Sequence, residues 1–337
     1  MGTNLFYYFL DFGFRLIWIC HPEANIDKIR NTFEKKIKRS YDNGLIDESR
    51  LTFVQTNTIL STDPAALSSC DLVIEAIHED PDQKKELFRI LDRVVSSDCI
   101  LASNSSSIKP SELIPSEERK DKFVGIHFFY PVALKNIAEF IITPDTSRKT
   151  KVFVKDFLHT IKRNSLLLKE KDSFILNKIF LDFQNEAYLI VREGPLTFPQ
   201  IDAIVKKFFF PIGVFEFFDS VGIDTMLTSV RNYVRGYPHE DYYRPLAEKL
   251  ESLISEGRTG QKSQSGFYYY PKEDDDRDDA FLNSPDNQTL IGETVKRLNF
   301  SYISAAKRYT MQSKCSPEEI NDAMKEYFGI DKGPFTL

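Results

Sequence analysis

The 337-residue sequence has few cysteines and no surplus of basic residues. Its four cysteines, Cys20, Cys70, Cys99 and Cys315, are widely scattered, and there is neither a CxxC pair nor a histidine at metal-ligand spacing. This pattern predicts neither a disulfide framework nor a metal site. With 44 Lys and Arg against 50 Asp and Glu, the formal net charge is -6, so a nucleic-acid partner is not expected.

Long hydrophobic runs are also missing. The stretch from Leu5 to Cys20 is apolar, but Asp11 and Arg15 interrupt it, and it is shorter than the roughly 20 residues of a transmembrane helix. No transmembrane segment is therefore expected, and the stretch is predicted to form a buried helix followed by a buried strand. Neither a signal peptide nor a transit peptide is readable at this end.

The first 145 residues alternate short β-branched runs with helical stretches, which is typical of parallel α/β layers. Helices are expected at Asn25–Asn43 and Pro81–Val95, where apolar residues recur every three or four positions. Strands are expected at Arg15–Ile19, Leu51–Gln55, Asp71–Ala76, Cys99–Ser103, Phe123–His127 and Glu139–Ile142.

From residue 146 the pattern changes to long amphipathic segments, which predicts a helical domain over 146–270. An acidic run, Lys272–Asp279, is expected to be a solvated loop. Residues 271–337 also contain a repeat, in which Lys296–Ala306 aligns with Asn177–Ala187 and Ile320 aligns with Ile201. The repeat predicts a partial second copy of the helical domain that packs on the first.

Two segments carry polar residues that could act together in one site. Ala102–Leu113 (ASNSSSIKPSEL) is a serine-rich turn after one expected strand, and Phe123–Val132 (FVGIHFFYPV) places a histidine at the end of the next. The carboxyl ends of strands form the usual ligand-binding edge of open α/β sheets. A histidine at a strand end is more often structural than catalytic, so the pattern alone leaves both roles open.

Both segments resemble the signature of the 3-hydroxyacyl-CoA dehydrogenase family, in which SNTSS is followed by HFFNPV at the same spacing. The resemblance implies a Rossmann-type NAD-binding domain over residues 1–145 and an all-α C-terminal domain over 146–270. The tail resembles the second helical copy of the multifunctional β-oxidation enzymes. Further matching segments cover nearly the whole chain: Val73–Phe88, Glu139–Ile141, Phe174–Ala187, Phe217–Thr225 and Gly257–Tyr270.

The resemblance also implies roles for individual residues. His127 takes the position of the catalytic base, and Glu139 takes that of the carboxylate that orients the imidazole. Ser106 and Asn177 take the polar positions that hold the substrate oxygen and support the site. By these matches the catalytic half of the site is nearly complete.

The cofactor-binding half departs from the family. Glu79 and Lys84 match cofactor-contacting positions, but Gly2 and the residue before it align with only the end of the family's GxGxMG loop, so the first strand has no counterpart. Cys20 stands where an acidic residue accepts hydrogen bonds from the ribose hydroxyls. Tyr130 replaces an asparagine that lies close to the nicotinamide.

These departures predict that NAD, the cofactor of the family, is not bound and that the chain is non-catalytic. It is then expected to be an accessory subunit of a larger complex with other protein subunits, located in mitochondria like its relatives. An active NAD-dependent 3-hydroxyacyl-CoA dehydrogenase, whose first strand precedes Met1, is one alternative, which the set of Ser106, His127, Glu139 and Asn177 supports. An acyl-CoA-binding module without hydride transfer is another.

The degenerate start of the fold has a structural consequence. In this fold class the first strand lies between Arg15–Ile19 and Asp71–Ala76, so a sheet without it has two bare strand edges. Buried unpaired backbone groups are rare because they are costly. The two strands are therefore expected either to pair directly or to accept a strand from another chain.

Overall fold

The computed structural model describes residues 1–235, 239–271 and 277–336. These residues form two compact units. The first comprises Met1–Ser105 and Lys109–Glu170, and the second comprises Ser106–Ile108 and the chain from Lys171 onward.

The first unit alternates helices and strands. Its helices are α1 (Gly2–Phe9), α2 (Ile26–Asp42), α3 (Glu48–Asn57), α4 (Pro81–Val94) and α5 (Arg148–Thr160). Its strands are β1 (Leu16–Ile19), β2 (Thr58–Ser61), β3 (Leu72–Glu75), β4 (Ile100–Ser103), β5 (Phe123–Phe128), β6 (Ile137–Ile142) and β7 (Asn164–Lys169).

The strands of this unit form two separate sheets. One contains β1 and β2, which are parallel, and the other has the order β3-β4-β5-β6-β7. Within the larger sheet only the β5–β6 pair is antiparallel. Among the described residues β1 and β3 therefore do not pair, and the expectation that they pair directly is wrong.

Helix α1 packs against both sheets. Leu5 belongs to a core cluster that includes Leu72 and Ile74 of β3, whereas Phe6 packs on the other side and stacks on Trp18 of β1 with ring centroids 4.5 Å apart. The end of the helix is also anchored, because the Arg50 guanidinium donates a hydrogen bond of 2.9 Å to the Phe12 carbonyl oxygen.

The elements of the first unit confirm most of the predicted ones, with two errors. The stretch predicted as a strand at Leu51–Gln55 lies inside α3 instead, because the Asp47 side chain accepts a hydrogen bond from the Arg50 N–H and starts a helix there. The strand comes just after it, as β2. Strand β7 was not predicted, since only Leu166 and Leu168 of its six residues are buried.

The predicted domain boundary at residue 145 differs from the division seen in the structure. Strand β7 pairs in parallel with β6 over six residue pairs, and α5 packs against β7. This pairing keeps residues 146 to 170 in the first unit, which ends at Glu170.

The second unit is helical. Its described helices are α6 (Ile175–Glu193), α7 (Phe198–Phe208), α8 (Val214–Val221), α9 (Ile223–Val234), α10 (Arg244–Ser255), α11 (Arg277–Asn283), α12 (Gln288–Ser313) and α13 (Pro317–Phe328). Helix α12 packs along α6, and aromatic rings fill the space between them, with Tyr302 and Phe183 at a centroid distance of 5.9 Å.

A buried aspartate organises the turn between α7 and α8. The Asp202 carboxylate accepts hydrogen bonds from the N–H groups of Phe215 and Glu216, both at 3.0 Å, and from the Tyr268 hydroxyl at 2.8 Å. Gly213 passes so close that a Cβ atom there would lie 2.3 Å from the Asp202 carboxyl carbon.

A similar arrangement follows α13. Asn321 accepts a hydrogen bond from the Phe335 N–H at 3.1 Å, and a Cβ atom on Gly333 would lie 2.4 Å from the Asn321 amide oxygen. Asn321, Gly333 and Phe335 therefore make the contacts that Asp202, Gly213 and Phe215 make earlier in the chain.

Three predictions about absent or solvated features can be compared with the described residues. Part of the predicted acidic loop, residues 272–276, lies outside them, and its end, from Arg277, belongs to helix α11 instead of a loop. None of the described helices is long and apolar enough to cross a membrane. The described residues also contain no group of three or more His, Cys, Asp or Glu that could hold a metal.

Candidate active site

The predicted base and its carboxylate partner face each other on neighbouring strands. His127 of β5 and Glu139 of β6 are direct cross-strand partners in the antiparallel ladder. The His127 Nδ1 atom lies 2.8 Å from the Glu139 Oε2 atom, and the side chains are 6% and 0% exposed. A carboxylate in this position orients the imidazole and holds the proton on Nδ1, so that Nε2 is the nitrogen that can accept a proton.

Replacing Glu139 with alanine is expected to lower the free energy of unfolding by about 1 to 3 kcal/mol, because the buried imidazole loses its partner. Glu139→Gln is the matched control, since its amide oxygen still accepts the hydrogen bond from Nδ1. Urea unfolding followed by the fluorescence of Trp18, the one tryptophan of the chain, reports on this unit. Equal stability of the alanine variant and the unchanged protein would contradict the inference.

A buried ionic network lies at the carboxyl ends of β3 and β4. The Lys84 ammonium of α4 lies 2.6 Å from the Glu75 Oε1 atom and 3.4 Å from Glu79 Oε2. The other oxygen of Glu75 accepts a hydrogen bond of 2.8 Å from the Ser103 hydroxyl. The Lys84 and Glu75 side chains are 1% and 0% exposed.

The second carboxylate of this network is held from the other side. The Ser105 hydroxyl, just past the end of β4, donates a hydrogen bond to Glu79. Glu79 and Lys84 were predicted from the family as cofactor-contacting residues, and the structure brings them together at one sheet edge. Their polar atoms are engaged with each other and with internal partners, so the network is complete without a ligand.

The two remaining catalytic candidates are linked within the second unit. The Tyr233 hydroxyl donates a hydrogen bond to the Ser106 carbonyl oxygen and accepts one from the Asn177 side-chain nitrogen, both at 2.8 Å. The Tyr327 hydroxyl donates to the Asn177 side-chain oxygen at 3.0 Å. Both ends of the Asn177 amide are therefore fixed by tyrosines, one from α9 and one from α13.

The residues predicted to depart from the family all belong to the first unit. Cys20 directly follows β1, is buried, and its burial raises the pKa of the thiol. Tyr130 is 65% exposed in the segment after β5. Gly2 begins α1, and a Cβ atom there would lie 3.8 Å from the Ala76 carbonyl oxygen, just past the end of β3.

Sequence reasoning missed Glu75, Tyr233 and Tyr327. A carboxylate at the end of the apolar run LVIE was a readable signal for Glu75, because a charge in a buried strand requires a partner. No comparable signal marks the two tyrosines, since tyrosine occurs at 15 positions.

Comparisons with known proteins identify the family. The family model described as "3-hydroxyacyl-CoA dehydrogenase, NAD binding domain" matches residues 1–171, and the model of the corresponding C-terminal domain matches residues 174–270. The chain belongs to the 3-hydroxyacyl-CoA dehydrogenase family. This confirms a Rossmann-type NAD-binding domain followed by a helical C-terminal domain, as the motifs implied.

Individual relatives agree with this assignment. The human mitochondrial hydroxyacyl-coenzyme A dehydrogenase is 33% identical over 248 residues, which are 72% of this chain and 78% of the relative. The crystal structure of (S)-3-hydroxybutyryl-CoA dehydrogenase PaaH1 from Ralstonia eutropha has a TM-score of 0.69 at 27% identity and covers 80% of this chain and 95% of that one.

One structural similarity extends to the tail. The 3-hydroxybutyryl-CoA dehydrogenase of Escherichia coli K12 has a TM-score of 0.80 at 17% identity and covers 99% of this chain and 88% of that chain. At this identity the similarity concerns the fold alone. The described helices of the tail, α11 to α13, thus belong to a fold that recurs in a solved structure.

Proposed function

We propose that this family member does not turn over 3-hydroxyacyl-CoA substrates and serves as an accessory subunit of a larger, mitochondrial complex. The observation that carries this proposal is Cys20. It occupies the position from which the family recognises the ribose, and it offers a buried thiol whose pKa is raised by burial. A neutral thiol is a weak acceptor and cannot take the two hydrogen bonds that a carboxylate accepts.

The fit of NAD to the described residues is poor at two further points. Tyr130 has a phenol in place of the amide that the family carries near the nicotinamide. Lys84 has its ammonium within 3.4 Å of both Glu75 and Glu79, so it is occupied inside the protein. We therefore propose that this chain does not catalyse hydride transfer and that the His127–Glu139 pair has a structural role.

The tail is proposed to be a partial second copy of the helical domain. Its support is the repeated contact set of Asn321, Gly333 and Phe335 and the packing of α12 along α6. The copy also contributes to the site, since Tyr327 of α13 donates its hydroxyl hydrogen bond to Asn177.

The first test is a calorimetric titration with NADH. Two lost hydrogen bonds to the ribose, each worth about 1.5 to 3 kcal/mol, weaken binding by roughly two to four orders of magnitude. The bacterial 3-hydroxybutyryl-CoA dehydrogenase PaaH1, titrated alongside, is the positive control. Binding of NADH as tight as in that enzyme would refute the proposal, as would oxidation of NADH with acetoacetyl-CoA.

A pair of variants isolates the contribution of Cys20. Cys20→Asp restores the acceptor and is expected to tighten NADH binding by about tenfold or more, whereas Cys20→Ser is neutral, similar in size and expected to change little. Equal affinities of the two variants would show that Cys20 is not the cause of weak binding.

An active dehydrogenase is the second candidate. It is favoured by the His127–Glu139 pair, whose 2.8 Å contact has the geometry of a base with its orienting carboxylate. The same assay with NADH and acetoacetyl-CoA separates the two candidates. An active dehydrogenase is expected to oxidise NADH and to lose this activity in the His127→Gln variant, whereas a non-catalytic protein is expected to show no turnover.

A further inference from the structure

Helix α12, the longest of the described helices at 26 residues, has two faces of opposite character. One face is buried within the second unit, where α12 packs along α6. The other is exposed and contains two large apolar side chains, Phe300 and Met311, at 75% and 77% exposure. Single exposed apolar residues are common on protein surfaces, so the arrangement of the whole outer face decides whether it is a binding surface.

The outer face of α12 is a stripe of residues at intervals of three or four, which is the spacing of side chains on one side of an α-helix. We call this set the α12 stripe. Its members are Thr289, Glu293, Lys296, Phe300, Ser304, Lys307 and Met311, and all are exposed except the half-buried Ser304. The intervals are symmetrical about Phe300, with Glu293 seven residues before it and Lys307 seven residues after it.

The two residues at these symmetrical positions carry opposite charges. Neither Glu293 nor Lys307 forms an ion pair or a side-chain hydrogen bond with another described residue. At 1.5 Å per residue along the helix they are about 21 Å apart, so they cannot pair with each other. An opposite charge for either one has to come from another molecule.

A second copy of the α12 stripe provides both charges. When two α12 helices lie antiparallel with Phe300 opposite Phe300, Glu293 of each copy lies opposite Lys307 of the other. The same register places Thr289 opposite Met311, a small side chain against a large one. It also places the two aromatic rings at the centre, where the residues that contribute most to binding cluster. A parallel arrangement would instead place equal charges opposite each other.

We propose that two copies of this chain associate through the α12 stripe, with the helices antiparallel and the twofold axis at Phe300. The interface is isologous, as in other dimers with twofold symmetry. One helix pair is smaller than a standard protein interface, so the expected dissociation constant is on the order of 10 µM. The proposal goes beyond the accessory role and does not rest on it, because no residue of the cofactor site is involved.

The test is sedimentation equilibrium of the full-length chain between about 1 and 100 µM, a range that brackets the expected dissociation constant. Phe300→Ala is expected to weaken association about tenfold or more, because it removes both rings from the centre of the interface. Leu45→Ala is the matched control, since Leu45 is 74% exposed in the first unit and lies outside the stripe. A chain that stays monomeric at about 100 µM overturns the proposal, as does a dimer that Phe300→Ala leaves unchanged.

Charge reversal tests the antiparallel register independently of Phe300. Glu293→Lys and Lys307→Glu each place like charges opposite one another at two symmetry-related positions, and each is expected to weaken association about tenfold. The double variant restores opposite charges and is expected to associate within about threefold of the unchanged protein. Circular dichroism of each variant checks that it is folded.

A mixture of the two single variants gives a further expected result. The lysines of one variant then lie opposite the glutamates of the other, so a mixed dimer is expected to form about tenfold more tightly than either variant with itself. A double variant and a mixture that associate no better than the single variants overturn the antiparallel arrangement.

Discussion

Lys84→Met is expected to lower the free energy of unfolding of the first unit by about 3 to 5 kcal/mol, because it leaves a buried carboxylate without its counter-charge. The carboxylate that loses its counter-charge is Glu75, because its side chain is 0% exposed and its Oε1 atom lies 2.6 Å from the Lys84 ammonium. The measurement is urea unfolding followed by the fluorescence of Trp18.

The matched control is the double variant Glu75→Gln with Lys84→Met. It removes both charges. The amide oxygen of the glutamine can take the place of Oε1, which accepts the Ile77 N–H, and the amide nitrogen can take the place of Oε2, where the Ser103 hydroxyl can turn to accept a hydrogen bond. Removing both members of a buried pair costs far less than removing one, so the double variant is expected to be more stable than Lys84→Met alone. A double variant that is less stable would exclude the electrostatic explanation.

Asp202→Ala is expected to destabilise the second unit by about 3 kcal/mol or more, because two buried donors and one half-buried donor lose their acceptor at about 1 to 3 kcal/mol each. Asp202→Asn is the control. The chain itself has an asparagine, Asn321, in the equivalent contact with Phe335, so asparagine is expected to be tolerated far better than alanine. Urea unfolding followed by circular dichroism measures both variants.

The same position predicts a dependence on pH. Burial raises the pKa of Asp202 from 3.8 to about 7. A carboxyl whose pKa is higher in the folded state binds its proton more tightly there, so its stabilising contribution is full below the unfolded pKa and is lost as the pH rises through the folded one. Relative to Asp202→Asn, the unchanged protein should lose stability between about pH 4 and about pH 7. A constant difference would contradict the raised pKa.

Much of the fold could be predicted because apolar periodicity reflects burial directly. Phe123–Phe128 is buried at every position, and its apolar run was read as a strand. Leu51–Gln55 was misread, since β-branched residues there favour a strand while the Asp47 cap starts a helix. Strand β7 has only Leu166 and Leu168 buried, and pairing with β6 forms it without a strong local signal. The placement of β1 and β3 in two separate sheets depends on contacts between residues distant in sequence, so it could not be predicted from local patterns.

The contact between His127 and Glu139 could be predicted, because a motif names both residues. The environment of Asn177 could not, because Tyr233 and Tyr327 lie 56 and 150 residues away along the chain. Lys84 was predicted as a cofactor contact, and its 1% exposure could be seen only in three dimensions. Burial decides whether a charged side chain faces a ligand or the protein, and a sequence motif does not specify it.

The cross-strand register of β5 and β6 has a consequence for how such chains evolve. His127 and Glu139 are 12 residues apart in one hairpin and hold each other in the core. A mutation in either one leaves a buried polar group unpaired and weakens folding, so selection for a folded protein alone removes it. Selection for a stable fold thus keeps this pair independently of any reaction in which it takes part. In surveys of genomes, a histidine and a glutamate at this register therefore indicate common ancestry and an intact hairpin. Activity must be judged from the residues at the cofactor-binding positions.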